Sequence, residues 1–322
     1  MKYNRLGKTG LKVSELSFGS WITFGKQTDL VSAGKLMKSA FDKGINFFDN
    51  AEAYARGLSE LIMGEILRTF RREDLVISTK IFWGGEGPNQ TGLSRKHLLE
   101  GTKNSLRRMQ LDYVDLLFCH RPDPETPLEE TIQAMDTLVR GGEALYWGTS
   151  EWSAEDLEKT FRICGESGAI PPSMEQPQYN MLVRTRVEEE YRPLFDRYHL
   201  GTTTWSPLAS GILSGKYNDG IPEESRLARN PALRKTMEES GLLSEETLSR
   251  VRRLTSLAGD LGGSMAQLAI AWILKNPHVS TVITGATSEE QLSENMGALE
   301  VKEKLDTEVM KTIETILTRE EK

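Results

Sequence analysis

The chain has 322 residues, of which 38% are hydrophobic and 27% charged, with a formal net charge of -7. That length suits one large α/β barrel or two ordinary domains, and the composition is that of a folded globular protein rather than a disordered chain. The acidic excess argues against nucleic acid as a main partner, although a local basic pocket stays open. No apolar run approaches the ~20 residues of a membrane span, so no membrane insertion is expected. The start, Met1-Lys2-Tyr3-Asn4-Arg5, lacks a signal-peptide core, and the few cysteines, Cys119 and Cys164, are expected as reduced thiols in a cytoplasmic protein.

In chain order, residues 1–19 read as a hairpin turning at Gly7-Lys8-Thr9-Gly10, followed by a more buried strand at Leu16-Ser17-Phe18-Gly19. Ala33, Leu36, Met37, Ala40 and Phe41 repeat at helical spacing, and Gly44 ends that helix. A strand-then-helix unit then recurs. Its strands are Ile45 to Phe48, Leu75 to Thr79, Tyr113 to Phe118, Ala144 to Thr149, Ser173 to Gln176, Thr202 to Trp205 and Thr281 to Ile283. Helices are predicted at Leu58 to Leu67, Ser94 to Met109, from about Pro127, after Ser153, and around Val187 to Tyr198. Ser153 with Asp156 resembles a capping box that uses Asp, and Ser264 with Gln267 is a regular one. Strand starts lie roughly 30 residues apart, the size of a βα unit, until a long polar insertion of about Ser206 to Leu242. The prediction is a single (β/α)₈ TIM-barrel domain over 1–322, with an N-terminal hairpin and a long loop before the last strand. An open doubly wound sheet is disfavoured because no Gly-x-Gly-x-x-Gly turn follows any strand.

Barrel active sites are built from the C-terminal strand ends. Here those ends read Asp49, Lys80, His120, Ser150, Gln176 and Ser206, each closing or following an apolar run. Singly, each has a plain structural explanation, such as a rim salt bridge between Asp49 and Lys80. As a set they suit proton delivery to an oxygen becoming an alkoxide. Tyr54, leaving the Asp49 strand, would be the acid. An ammonium at Lys80 would lower its pKa, Asp49 would hold Lys80, and His120 would add a hydrogen bond to the carbonyl oxygen. The histidines and cysteines have no metal-ligand spacing. A Schiff base through Lys80 is the chemical rival.

These segments also carry a family likeness. Gly44-Ile45-Asn46-Phe47-Phe48-Asp49-Asn50-Ala51-Glu52-Ala53-Tyr54, Ser78-Thr79-Lys80, Tyr113-Val114-Asp115-Leu116 with His120, and Trp147-Gly148-Thr149-Ser150 resemble the aldo-keto reductases in the right order. Trp205-Ser206-Pro207-Leu208-Ala209-Ser210-Gly211 and Gly285-Ala286-Thr287 with Glu294-Asn295 complete the likeness. Ser78 to Gly85, Leu93 to His97, Arg121-Pro122-Asp123-Pro124 and Ser214 to Tyr217 resemble the branch containing the voltage-gated potassium channel β subunits. His120 departs from the Asn of that branch, and Glu151 departs from both the Asn of the wider family and the Arg of the branch.

The resemblance implies catalytic roles for Asp49, Tyr54, Lys80 and His120, and NADP(H) as cofactor. Ser150 and Gln176 would bond the carboxamide, and Trp205 would stack on the nicotinamide, with Trp21, Gln27 and Asp49 also near the cofactor. Ser206, Pro207, Leu208 and Ser210 with Lys216 would follow the pyrophosphate. Arg226, Gly285, Thr287, Gln291, Glu294 and Asn295 would surround the adenosine and its 2′-phosphate. No binding role passes to Glu151. The implied activity is reduction of a small carbonyl substrate, an aldehyde or a ketone, with Trp21, Phe82 and Trp83 as candidate pocket walls. The alternative is a channel-β-like regulatory, redox-sensing subunit with slow or vestigial turnover. A homo-oligomer, a tetramer or larger, is implied by the branch.

Overall fold

The structure, a computed structural model, describes residues 1–21, 23–25 and 27–318. β1 (Tyr3–Arg5) pairs antiparallel with β2 (Lys12–Ser14), forming the predicted hairpin. Leu6 and Val13 of this hairpin are fully buried in one cluster with Phe47, Val76, Leu116, Phe118 and Met174. Phe47, Val76 and Met174 are first residues of barrel strands, so the hairpin seals the N-terminal mouth of the barrel.

Eight strands close into that barrel: β3 (Leu16–Gly19), β4 (Phe47–Asp49), β5 (Val76–Ile81), β6 (Val114–Cys119), β7 (Ala144–Ser150), β8 (Met174–Gln176), β9 (Gly201–Thr204) and β10 (Thr281–Thr284). Each pairs parallel with the next, and β10 returns to β3. Parallel strands covered on both faces need near-continuous burial, and β5 and β6 are buried at every position. Polar strand residues are tolerated because they bond within the wall. Thr202 Oγ1 donates to the His278 carbonyl at 2.7 Å, and Thr284 Oγ1 to that of Ser17 at 2.9 Å.

Helices α1 (Leu30–Asp42), α2 (Leu58–Leu67), α3 (Arg95–Met109), α4 (Leu128–Gly141), α5 (Ala154–Ser167) and α6 (Arg192–Tyr198) alternate with these strands. Their starts follow the sequence signals: Asp29 caps α1 through the Ser32 amide, and Ser94 caps α3 through that of His97. Two expectations need correction. Ser153 accepts from the Asp156 amide, but the Asp156 carboxylate takes the Ser153 hydroxyl at 2.7 Å, so the box is only half made. Asp is one methylene shorter than the Glu or Gln that reaches back to the cap's own amide. The helix predicted from Val187 instead opens with a π-helical turn, Arg186–Glu190, before α6.

The chain forms two compact units. The first, Met1–Pro177, Thr185–Trp205 and His278–Leu292, contains the whole barrel. The second comprises Gln178–Arg184, Ser206–Pro277 and Ser293–Lys322. It contains α7 (Arg226–Arg229), α8 (Pro231–Glu239), α9 (Glu245–Asp260), α10 (Met265–Leu274) and α12 (Thr307–Thr318), while α11 (Glu289–Lys304) begins in the first unit. α10 is apolar all round, starts on the predicted Ser264–Gln267 capping box, and is buried along nearly its whole length. The polar insertion from Ser206 is therefore largely built of turns and short helices. Among the described residues no single helix is long and apolar enough to cross a membrane.

Candidate functional site

Asp49 ends β4 and Lys80 lies near the end of β5, so the barrel sets them side by side in its wall. Lys80 has no exposed surface, and its Nζ donates to Asp49 Oδ2 at 2.6 Å, to the Asn50 carbonyl at 2.8 Å and to Tyr54 Oη at 3.1 Å. Asp49 Oδ1 accepts from Ser78 Oγ at 2.7 Å and from Gln176 Nε2 at 3.1 Å. Both carboxylate oxygens are thus engaged within the protein, which makes Asp49 an anchor rather than a free acceptor. Lys80, with an acceptor for each ammonium proton, has no lone pair poised for a Schiff base.

Tyr54 opens the tight turn Tyr54–Gly57 and is buried at 8% exposure. Its ring stands edge-on to His120, with centroids 5.9 Å apart. His120 directly follows β6, and its Nδ1 is buried with no hydrogen-bond partner. Two exposed tryptophans flank this pair, Trp21 with its ring centroid 6.4 Å from Tyr54 and Trp83 with its ring centroid 5.0 Å from His120. Phe82 packs edge-on to Trp83, so these predicted wall residues do gather at the tetrad. Exposed indoles beside an orphaned buried imidazole nitrogen mark a surface built to be covered by a ligand.

The electrostatics correct one expectation. The Tyr54 pKa is pushed well up, first by burial and then by Asp49, with Arg121 opposing. The expected lowering fails because removal from water penalises the phenolate, and the carboxylate that anchors Lys80 is close enough to add to that penalty. Burial also lowers the Lys80 pKa, opposed by Asp49. His120 is pushed well below the usual histidine range by burial, Lys80 and Arg121, so it is a neutral imidazole.

At the predicted nicotinamide end, Ser150 Oγ donates to the Gln176 carbonyl at 2.9 Å and accepts from Arg121 Nη1 at 3.2 Å. Gln176 Nε2 is shared between Asp49 and Thr203 Oγ1, at 3.1 and 3.2 Å. Trp205 stands edge-on to Trp21 and donates its Nε1–H to Glu151 Oε1 at 2.9 Å. Glu151 adopts φ of 62°, rare for a residue with a side chain, and Arg186 holds its other oxygen at 2.7 Å. The negative charge expected at Glu151 is therefore balanced by Arg186. Gln27 lies exposed just before α1, its amide bonded to the Thr23 carbonyl.

Thr287 and Gln291 meet each other, the Gln291 carbonyl oxygen accepting from the Thr287 amide and hydroxyl at 2.9 and 3.0 Å, with Gly285 two residues before Thr287. In the second unit, Ser206, Ala209, Ser210 and Gly211 all take positive φ around Pro207 and Leu208. Concave left-handed runs of this sort present backbone N–H groups to anions. Lys216 lies over the Tyr217 ring at 5.1 Å, and burial lowers the pKa of Arg226, which opens α7. Asn295 is buried, and Glu294 accepts from Ser264 Oγ at 2.9 Å. Within the first unit, the aromatic cluster of Trp21, Trp83 and Trp205 around neutral His120 suits a flat ring such as nicotinamide, and within the second unit Lys216 and Arg226 carry positive charge of the kind phosphate groups need.

Several contributors were not singled out as site residues by sequence reasoning: Ser78, which fixes Asp49, Asn50 through its carbonyl, and Arg121 and Arg186. Ser78 and Asn50 lie inside quoted motifs, so position alone could have found them. Arg186 comes from a distant turn, and nothing local marks it.

The sequence profile of the Aldo/keto reductase family matches residues 15–318, and the chain belongs to that family. It is 51% identical to a probable voltage-gated potassium channel subunit beta of Oryza sativa subsp. japonica, over 98% of this chain and 97% of the relative. The corresponding Arabidopsis thaliana protein is 52% identical over the same shares. A putative voltage-gated potassium channel subunit beta of Schizosaccharomyces pombe is 46% identical, over 97% of this chain and 92% of the relative. Family membership supports NADP(H) binding.

Proposed function

We propose that this chain is an NADP(H)-binding, potassium-channel-β-like subunit that senses redox state through slow carbonyl reduction, in the cytoplasm. The observation that carries this reading is the near full-length similarity to relatives so named. The bound dihydronicotinamide would supply the hydride. Trp205, held by Glu151, would pack against its ring, and Gln176 and Ser150 would meet its carboxamide. Tyr54 Oη would give its proton to the carbonyl oxygen as that oxygen gains electrons, and neutral His120 would donate a second hydrogen bond. Burial keeps the Tyr54 phenol protonated, so it is loaded to donate. We take residues 1–322 as a single barrel domain; in the first unit Gly285, Thr287 and Gln291 would meet adenosine, and in the second Ser206 to Ser210, Lys216 and Arg226 would meet phosphate, with Glu294 and Asn295 as adenosine contacts.

A second reading, an ordinary NADPH-dependent aldehyde reductase, is favoured by His120, which completes the reductase set beside Tyr54. One experiment separates the two. NADPH and NADH are titrated separately by fluorescence quenching, and a panel of aldehydes is then added under single- and multiple-turnover conditions. Tight NADPH binding with steady-state turnover below about 1 s⁻¹, the low edge for enzymes, supports the sensing subunit. Turnover near ~10 s⁻¹ supports the metabolic reductase. Absence of nicotinamide binding would overturn both.

A further inference from the structure

Arg121 follows His120 at the mouth of the site and is half-buried. Its Nη1 alone is used inside the protein, donating to the His120 carbonyl at 2.5 Å and to Ser150 Oγ at 3.2 Å. Its guanidinium carbon lies 5.6 Å from the centre of the Trp83 ring, which also packs against the His120 imidazole and Phe82. Among the described residues no carboxylate lies within ion-pair distance of Arg121, and neither Nε nor Nη2 makes a hydrogen bond. The nearest acid in sequence, Asp123, is occupied by the Leu93 and Glu125 amides and the Thr126 hydroxyl.

Charge balance makes this notable. Lys80 is neutralised by Asp49, Arg186 by Glu151, and Arg108 by Glu60. Arg121 is left as a net positive charge, close enough to influence Tyr54, Lys80 and His120. The Nε and Nη2 protons form the side-on edge of a guanidinium, whose spacing matches the two oxygens of a carboxylate. Fixing Nη1 on two protein acceptors and laying the plane near an exposed indole holds that edge in one orientation before any ligand arrives.

We propose that Arg121 selects carbonyl substrates that carry a carboxylate, such as short aldehydic acids, binding the carboxylate by its Nε/Nη2 edge while the carbonyl oxygen sits at Tyr54 and His120. This rests on the carbonyl-reducing reading above and deepens it by naming a substrate class. A phosphate could use the same charge, but its tetrahedral oxygens match the planar edge less closely.

The test measures kcat/KM for succinic semialdehyde and its methyl ester, and for glyceraldehyde 3-phosphate and glyceraldehyde, on the full chain with NADPH. The wild type should prefer the acid over the ester by roughly 10- to 100-fold, the range of a charge-assisted bidentate contact. That ratio should fall to about one in Arg121→Gln and partly survive in Arg121→Lys. The phosphate pair should show a smaller ratio. A wild-type acid-to-ester ratio near one, or a ratio unaltered in Arg121→Gln, overturns the proposal, and a larger phosphate ratio overturns the carboxylate assignment. If neither ester nor acid is reduced, the carbonyl-reducing reading has failed on its own. In that case succinate is titrated into the NADPH-loaded protein and indole emission followed, since Trp83 adjoins Arg121. Saturable change in the wild type that is lost in Arg121→Gln supports the anion site, and no saturable change overturns it.

Discussion

Two effects compete at Tyr54. Burial and the Asp49 carboxylate hold the phenol protonated, whereas a positive charge arising beside it would favour release of the proton. The phenol is thus always loaded and gives up its proton only when charge develops close by. Tyr54→Phe keeps the ring against Trp21 and His120 but removes the proton, so single-turnover carbonyl reduction should fall by about 10²–10⁴-fold while NADPH quenching persists. Unchanged reduction would show that another group is the acid. The anchor is different in kind. Asp49→Asn leaves the Lys80 ammonium buried without its counter-charge, and removal of one partner from a buried pair costs about 3–5 kcal/mol. Urea unfolding should register that loss, and a stability change below about 1 kcal/mol would mean Lys80 is neutral in the folded protein.

Between elements, α2 and α3 pack so closely that Gly64 has no room for a side chain. A Cβ there would lie 2.6 Å from the Arg108 carbonyl oxygen and 2.7 Å from Met109 Cα, both backbone atoms. Helix propensity alone would make Gly64→Ala stabilising by about 1 kcal/mol. Overpacking against backbone costs about 1–3 kcal/mol, and it should win. The variant should be less stable in urea; a gain in stability would mean that α3 yields freely. The same interface holds Glu60, which is fully buried and accepts from Arg108 Nε at 2.6 Å and from the Thr79 hydroxyl next to Lys80. Displacing α3 would therefore disturb the strand that carries Lys80. The bounds of both helices were readable in the sequence. That a small residue in one must face the last turn of the other was not, because close approach is a property of the pair.

For the molecule as a whole, Glu175 links stability to pH. It is fully buried behind the Glu151 loop, accepting from the Thr149 hydroxyl, from Trp152 N at 3.3 Å and from Tyr191 Oη at 3.4 Å. Burial raises its pKa to about 8, and Glu151 adds to the rise. The folded state therefore holds a proton that the unfolded chain has released above about 4.5, so the contribution of Glu175 to stability is fully present below that value and is lost as pH rises to about 8. Glu175→Gln mimics the protonated form and should flatten that decline, which denaturant titrations at a series of pH values would measure. An identical slope in the variant would mean that Glu175 is ionised when folded. The barrel and the strand ends at Asp49, Lys80, His120, Ser150 and Gln176 were legible because a parallel barrel imposes a period on the chain, and the N-terminal hairpin was legible from its glycine turn, though not that it seals the barrel. The half-made box at Ser153 and the π turn at Arg186 were not, since each turns on a methylene or one extra residue.

Order along the chain was enough to determine which residues end each strand and which family this protein belongs to. It could not determine protonation or charge balance. Tyr54 is a reluctant acid, Glu151 is neutralised by Arg186 and Arg121 is left unpaired only because the fold sets how much water and which opposite charge each group meets. Those distances are made by residues far apart in sequence, and the tertiary structure alone decides them.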